Sequence, residues 1–403
     1  MGLLAEPDSE KEYLDNIHGV FAMADNALQW KIIRGLEKNL HDNLKIISSP
    51  PVGTYPKKYK KIYISSKWWS HGKNCEDIRI GFLNISIIKA LFRNVGFSKF
   101  LIRAIKNSNH KEKVIISYNT YPSQMIAMKK AKKKFNGIKN VLIVTDLPEY
   151  SFVDKNLSIK DRIYKYFKQR TMVKNLKYVD GYVLLTEHMK YKLDIQNKPY
   201  VVVEGIAEIP KHNFNECRRE NEKKIILYTG TLRKKYGIMN LLDAFKEIKN
   251  PNYMLYICGL GEAENEIIEL SKFDSRIVYK GMVSREEAMK LQTEATVLIN
   301  PRSGDDEFTK YSFPSKTMEY LASGKPTICY KLCGIPSEYD NYLFYIDGND
   351  AGSMKRKIEE ICEMKSETRE KIGLNGKKFV LKEKNEVIQS EKIIKLIEKL
   401  GDK

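Results

Sequence analysis

The chain has 403 residues, 42% of them hydrophobic, and a formal net charge of +19. That length admits two domains of ordinary size, and the apolar content excludes a chain too polar to build packed cores. No run of about 18 apolar residues occurs, which excludes a membrane-spanning helix. The six cysteines lack the paired spacing of a metal site, Cys329 and Cys333 coming nearest, so no metal is expected and a reducing cytoplasm is the default.

The charge is unevenly placed. Residues 1–200 hold 36 Lys and Arg against 18 Asp and Glu, a net of +18, which leaves +1 for the remainder. A Lys-rich composition spread at random would load both halves alike. The asymmetry instead points to an anionic partner for the first half: membrane lipid, nucleic acid or a phosphorylated acceptor.

In chain order, the acidic N-terminus lacks the apolar core of a secretion signal, and Glu6 breaks the myristoylation pattern. Met1–Ala5 is too short for a firm first strand, and no GxGxxG follows it. Residues 16–22 suggest a loop facing the cleft and carrying His18, a position where a lone histidine is more often a bystander than a catalyst. A helix begins near Asp25 or Asn26, with Leu28, Ile32, Ile33 and Leu36 at helical spacing. Residues 43–48 read as a strand. Residues 53–80 read as irregular, with Lys57, Lys58, Lys60 and Lys61 near Trp68 and Trp69. Such a loop suits lipid head groups or nucleic acid, or is simply solvated.

Residues 87–106 form an amphipathic helix with the stripe Ile87, Ile88, Leu91, Phe92 and Val95. The stripe either lies on an anionic bilayer or, as slightly preferred, packs on a sheet. Strands at Val114–Tyr118 and residues 141–145 flank a very basic helix, and this alternation predicts a parallel sheet. Asp146 ends the second of these strands, where a ligand crevice opens in such sheets; a turn before Pro148 is the plainer role. Residues 155–178 are helical and basic. Strands follow at residues 181–185 and 200–203, and the polar residues 207–223 form a connection.

The second half restarts with a strand at residues 224–228, a loop to Gly237 and a helix at residues 238–248. Arg233, Lys234 and Lys235 stand at the helix entrance, where cations meet phosphate. Further strands fall at Tyr253–Cys258 and residues 277–280, the latter running into Gly281, Met282 and Val283. Ser284 and Glu287 form a capping box. Residues 343–346 form a last strand and residues 351–400 are mostly helical.

Between these lies the stretch on which a functional reading turns, residues 301–331. A buried strand at residues 295–300 leads into it, Pro314 opens a helix, and Gly324 with Pro326 closes it. The first-turn amides of Ser315, Lys316 and Thr317 face outward, where the helix dipole favours an anion. Lys316 adds charge. Glu319 follows on the same face. Amides and a cation for phosphate, then a carboxylate for sugar hydroxyls, describe a nucleotide-diphosphate cradle.

Residues 312–326 read S-F-P-S-K-x-x-E-Y-x-A-S-G-K-P and resemble the C-terminal signature of the family-four retaining glycosyltransferases, in the branch that assembles capsules and exopolysaccharides. The resemblance covers residues 224–346 well, 111–205 loosely and 1–80 poorly. It implies an α/β chain of the GT-B fold, two Rossmann-like domains facing a central cleft. Residues 1–205 would bind the acceptor, residues 206–382 the nucleotide sugar, and residues 383–403 would form a helix returning to the first domain. Glu319 matches the second of the family's two glutamates and would hold the donor ribose. Tyr311 stands where the first belongs, with Asp305, Asp306 and Glu307 nearby but out of register. Thr231 replaces a phosphate-binding arginine, so Arg233, Lys234 or Lys235 would serve. Gly281, Met282 and Val283 would border the base.

The activity implied is retaining, metal-independent hexosyl transfer from a nucleotide-diphosphate sugar to a polyprenyl-diphosphate-linked saccharide, with no cofactor. Glu319, Lys316 and Asp146 are its expected catalytic groups. Arg302, Ser315 and Tyr311 join the donor site. The expected partners are the nucleotide sugar, the lipid-linked acceptor and an anionic membrane surface met by the basic half, with no nucleic acid. The expected location is cytoplasmic, peripheral to the inner face of the plasma membrane. The alternatives are a sugar-nucleotide epimerase of the same fold and a non-catalytic nucleotide-sugar-binding partner.

Overall fold

A computed structural model of the chain describes residues 1–401 except 19–22, 41–43, 73–74, 148, 150–158, 196 and 209–222. Residues 209–222 of the expected connection at 207–223 and much of the expected loop at 16–22 lie outside the described residues, as does Pro148. The chain divides into two compact units, Met1–Glu204 with Glu386–Lys403, and Gly205–Asn385.

In the first unit the strands are β1 (Gly2–Leu3), β2 (Ile47–Ser49), β3 (Tyr63–Ile64), β4 (Lys67–Trp69), β5 (Asp77–Arg79), β6 (Phe82–Leu83), β7 (Val114–Tyr118), β8 (Lys139–Val144), β9 (Gly181–Leu184) and β10 (Tyr200–Val202). Its helices are α1 (Glu10–Asn16), α2 (Met23–Leu40), α3 (Ser86–Asn107), α4 (Pro122–Lys134), α5 (Ile159–Asn175) and α6 (Met189–Lys192). Two four-stranded ladders form, β4-β5-β2-β1 and β7-β8-β9-β10, parallel except for β4, beside a small antiparallel pair β3-β6. The Tyr118 amide donates to the Met1 carbonyl at 2.9 Å and joins them edge to edge.

Two expectations fail here. The short apolar N-terminus does form a strand, because β2 pairs with its two residues on one side and Met1 bonds Ile116 and Tyr118 of β7 on the other. Residues 53–80 are not irregular: β3, β4 and β5 lie within them. A third correction concerns α3. The stripe Ile87, Ile88, Leu91, Phe92 and Val95 faces solvent, not the sheet. What packs inward at that level is Lys89 and Arg93, both over the Phe82 ring.

The second unit is one parallel sheet. Its strands are β11 (Lys224–Thr229), β12 (Tyr253–Cys258), β13 (Ile277–Gly281), β14 (Val297–Asn300), β15 (Thr327–Cys329) and β16 (Phe344–Tyr345), ordered β13-β12-β11-β14-β15-β16. Helices α7 (Ile238–Glu247), α8 (Glu264–Phe273), α9 (Arg285–Glu294), α10 (Ser315–Ser323), α11 (Ala351–Glu363) and α12 (Ser366–Glu383) connect and cover it. The large core runs through Leu255, Ile257, Val297, Ile299, Leu321 and Ile328. Beyond it α13 (Glu386–Gly401) belongs to the first unit and packs on α2. Glu386 accepts from Arg34 and Lys38 at 3.0 and 2.6 Å. Gly35 lets the two helices touch, since a Cβ there would meet the Glu386 carbonyl at 2.0 Å.

No helix of the described residues is long and apolar enough to cross a membrane. Strand order reverses between β1 and β7 in the first unit, and between β11 and β14 in the second. Crossovers leave in opposite directions at such points, so the strand ends there are uncovered and available to a ligand.

Candidate functional site

The second unit builds its site at the β11/β14 switch point. β11 ends at Thr229 and β14 at Asn300. The fully buried Tyr320 of α10 ties these elements together: its hydroxyl accepts from the Thr229 amide at 2.8 Å and donates to the Thr229 carbonyl at 3.1 Å. Asn300 reaches Thr317 Oγ1 at 3.4 Å. The start of α10 is thereby held at the strand ends.

Pro314 caps α10 without a side-chain bond, so the amides of Ser315 and Lys316 have no helical acceptor. Lys316 Nζ lies 3.0 and 2.9 Å from the two Glu319 carboxylate oxygens. Gln292, buried on α9, donates to Glu319 Oε1 at 2.6 Å and approaches Thr229 Oγ1 at 3.3 Å. Burial pushes the Glu319 carboxyl up, but the charge and hydrogen bond of Lys316, the Gln292 bond and the more distant Arg285 outweigh it. The net direction is below the usual carboxylate range, so Glu319 stays ionised at neutral pH.

The loop after β11 approaches the end of β14 at Gly237. This residue has φ +80°, and a Cβ there would stand 1.9 Å from the Pro301 carbonyl. Beside that contact lie two cations and two rings. The Arg302 guanidinium is 4.5 Å from the Phe308 ring and 5.5 Å from the Tyr236 ring. Lys235 Nζ is 5.2 and 4.9 Å from the same two rings. Arg302 also donates to Ser312 Oγ at 2.7 Å, while its Nε is buried without an acceptor. A buried, unsatisfied guanidinium donor is costly unless a ligand completes it.

The three loop cations therefore separate. Lys235 joins Arg302 on the aromatic pair. Lys234 is taken by α8: its ammonium pairs with Glu266 and its amide donates to Glu262 at 2.7 Å. Arg233 is exposed, with no side-chain partner among the described residues. Gly281 has φ +64° and its carbonyl accepts from the Gly259 amide at 2.8 Å. Met282 is exposed, and Val283 packs against the cluster holding Leu227 and Tyr320. Tyr311 ends a short 3-10 turn, and its hydroxyl reaches Glu307 Oε1 at 3.3 Å. A carboxylate out of register in sequence is thus brought to Tyr311 by one turn of helix.

Asp146 belongs to the first unit, at the end of β8, and a second constellation surrounds it at the β1/β7 switch point. Tyr118 donates to Asp25 Oδ1 at 2.7 Å. Asn119, at φ +65°, bonds Thr145 Oγ1 at 3.0 Å and turns back on the Thr120 amide. Lys168 of α5 is buried and lies 5.4 Å from the Tyr121 ring. Burial raises the Asp25 carboxyl to about 6; the Tyr118 bond and Lys168 oppose this and Asp146 adds to it. Burial also raises Asp146, against Lys168, and lowers Lys168, against Asp146 and Asp25. Among the described residues, no three His, Cys, Asp or Glu side chains gather as a metal-holding group.

Sequence reasoning missed Gln292 and Tyr320, whose helical spacing reads as ordinary packing, and Tyr236 and Phe308, which lie in loops, each within a short 3-10 turn. It also missed Lys168, and read Asp25 only as a helix cap.

Residues 209–379 match the family Glycosyl transferases group 1. No curated protein matches the chain by sequence. Among solved structures, the crystal structure of TarM is similar with a TM-score of 0.55 at 13% identity, over 87% of this chain and 66% of that one. The lipopolysaccharide outer core galactosyltransferase WaaB gives 0.55 at 15% identity, over 81% of this chain and 85% of that one. A UDP-forming α,α-trehalose-phosphate synthase from Burkholderia xenovorans gives 0.65 at 9% identity, over 98% of each chain. These likenesses establish the GT-B fold, and the chain spans just under two thirds of TarM.

Proposed function

We propose that this chain is a glycosyltransferase that moves a sugar, with retention, from a nucleotide-diphosphate sugar to a polyprenyl-diphosphate-linked saccharide in surface polysaccharide synthesis. The observation that carries the reading is the convergence of the α10 amides, Lys316, Glu319 and Arg302 on one switch point. The match of residues 209–379 to glycosyl transferases, and the UDP-forming reaction named for one structural neighbour, support it.

In this reading Glu319 accepts the donor's ribose hydroxyls, held in place by Gln292 and Lys316. The diphosphate lies against the amides of Ser315 and Lys316, with Lys235 and the unsatisfied Arg302 Nε as further donors. Leaving-group departure puts negative charge on the nucleoside diphosphate, and fixed donors in a half-buried site lower the barrier where that charge grows. Four such donors make metal-independent transfer chemically sufficient. Asp25, Asp146 and Lys168 would receive the acceptor's hydroxyls, and the basic first half would meet an anionic membrane surface at the inner face of the plasma membrane.

The test is a panel of nucleotide sugars, read first by thermal stabilisation and then by transfer to lipid-linked saccharide. A ligand bound only to the folded state raises its melting point. One donor should stabilise the wild type and not Glu319→Ala, and NMR of the product should show the donor's anomeric configuration. No stabilisation by any donor, or unchanged transfer by Glu319→Ala, overturns the reading. Epimerised donor formed without acceptor selects the isomerase instead.

A further inference from the structure

The first three turns of α3 are inside out. Ile85, Ile87, Ile88, Leu91, Phe92 and Val95 are all exposed, Ile87 at 77% and Val95 at 63%. The two cations of the same segment are turned in. Lys89 is buried and donates to the Val52 carbonyl at 2.5 Å. Arg93 donates to Ser49 Oγ at 3.0 Å and to the Pro50 carbonyl at 2.5 Å. A helix at rest in water does the reverse, burying its apolar stripe and solvating its charges. Scattered exposed apolar residues need no explanation, but a continuous stripe of this size marks an interaction surface.

The surroundings identify the occupant. The loop bearing Lys57, Lys58, Lys60 and Lys61 is pinned to the start of α3: Tyr55 donates to the Asn84 carbonyl at 3.0 Å, Asn84 to Ile62 at 2.7 Å, and the Asn84 side chain to Lys61 at 3.2 Å. All four lysines are exposed. Ile62 and Tyr63, also exposed, extend the apolar surface between them and the helix. Further along, Trp68 stands edge-on to Phe100 at 5.9 Å, with the Arg103 guanidinium 5.4 Å from its ring. Aliphatic centre, amphipathic aromatics and a cationic rim are what the boundary between acyl chains and anionic head groups selects. A second copy of this chain would set the lysine loop against itself, like charge on like.

We propose that residues 85–95 lie in the plane of an anionic lipid bilayer, with Ile87, Leu91, Phe92 and Val95 among the acyl chains and the 57–61 lysines on the head groups. This gives the mode of the membrane contact invoked above, and rests on that reading only for which cellular membrane is met, since the lipid chemistry is argued from the surface itself. Attraction by the basic helices alone would be screened away by salt, whereas an inserted apolar face resists it.

The test uses the full chain and vesicles of phosphatidylcholine with or without phosphatidylglycerol. Wild type should sediment with the anionic vesicles and keep a bound fraction at high salt. Leu91→Ser/Phe92→Ser should lose roughly a hundredfold in vesicle affinity, with its thermal midpoint and its stabilisation by nucleotide sugar unchanged. Lys57→Ala/Lys58→Ala should weaken binding at low salt and leave the salt-resistant fraction, whereas Lys61 is already paired with Glu12 at 2.7 Å. Phe92→Trp should be quenched by acyl-chain bromines beyond the wild-type signal. Unchanged binding of the serine variant, absent quenching, or a chain dimer that the serine variant abolishes would each overturn the proposal. If the vesicle results hold but no nucleotide sugar stabilises the protein, insertion stands and sugar transfer falls.

Discussion

Gln292 donates its side-chain amide to Glu319 Oε1 at 2.6 Å, from a helix 27 residues earlier in the chain. That bond orients the carboxylate expected to meet the donor ribose, while Lys316 holds it from the other side. Gln292→Ala should weaken nucleotide-sugar binding about tenfold, the scale of one charge-assisted hydrogen bond. Glu319→Ala should cost roughly a hundredfold, because two donors are then left unsatisfied. Titration calorimetry with the stabilising donor would check both. Gln292→Ala alone being the more damaging change would contradict this ordering.

The loop cations should separate in the same assay. Lys235→Ala and Arg302→Ala each remove a donor beside the aromatic pair and should weaken binding of the free nucleoside diphosphate. Lys234→Ala should leave it nearly unchanged, since that ammonium is already paired with Glu266. Loss of diphosphate binding in Lys234→Ala would reassign the phosphate contact.

Asp25 predicts a pH signature. Its folded pKa of about 6 lies above its ordinary value of 3.8, so the folded state binds the proton more tightly than the unfolded one. The stability this group contributes is present below pH 3.8 and is lost as pH rises through about 6. Asp25→Asn should therefore raise stability at pH 8, by up to about 3 kcal/mol, and change it little at pH 3.5. Denaturant melts at the two pH values measure the difference. Equal stability of the variant and wild type at pH 8 would remove the case for a strained carboxylate. In transfer assays the same variant should lower turnover on acceptor without weakening donor binding.

Gly237→Ala should destabilise the second unit by roughly 2–4 kcal/mol, because it adds a Cβ at positive φ and drives it into backbone. The Pro301 carbonyl 1.9 Å from that Cβ cannot retreat without moving Arg302. Thermal unfolding and donor binding should suffer together in this variant.

Much of the second unit was legible in sequence because its signals are local. A parallel-sheet strand is a short apolar run, a helix start is a proline beside polar residues, and a helix stop is Gly324 with Pro326. Residues 312–326 hold both the uncapped first-turn amides and Glu319 within one helix, so their spacing alone places them on one face. Arg302, Lys235, Tyr236 and Phe308 come from two loops, and only the fold makes them neighbours. Local signals likewise could not choose among Arg233, Lys234 and Lys235, which are adjacent in sequence but meet different surroundings in space.

The limit is sharpest in residues 1–107. The N-terminal segment is too short to carry a strand's period, yet pairing with β2 and the bonds of Met1 to β7 hold it as one. For α3 the periodicity of Ile87, Leu91 and Val95 determined that there is a helix with one apolar face. It could not determine the direction of that face, because a moment fixes a stripe relative to the helix axis and not relative to the domain. The Phe82 ring and the carbonyls of Pro50 and Val52 decided it, by offering Lys89 and Arg93 cation–π contacts and acceptors that an aliphatic stripe could not use. The sequence by itself determined most elements of the second unit, the helix that Pro314 opens and the charge asymmetry. Tertiary structure decided which cations share a site and which way an amphipathic helix looks, since both depend on groups far apart in the chain.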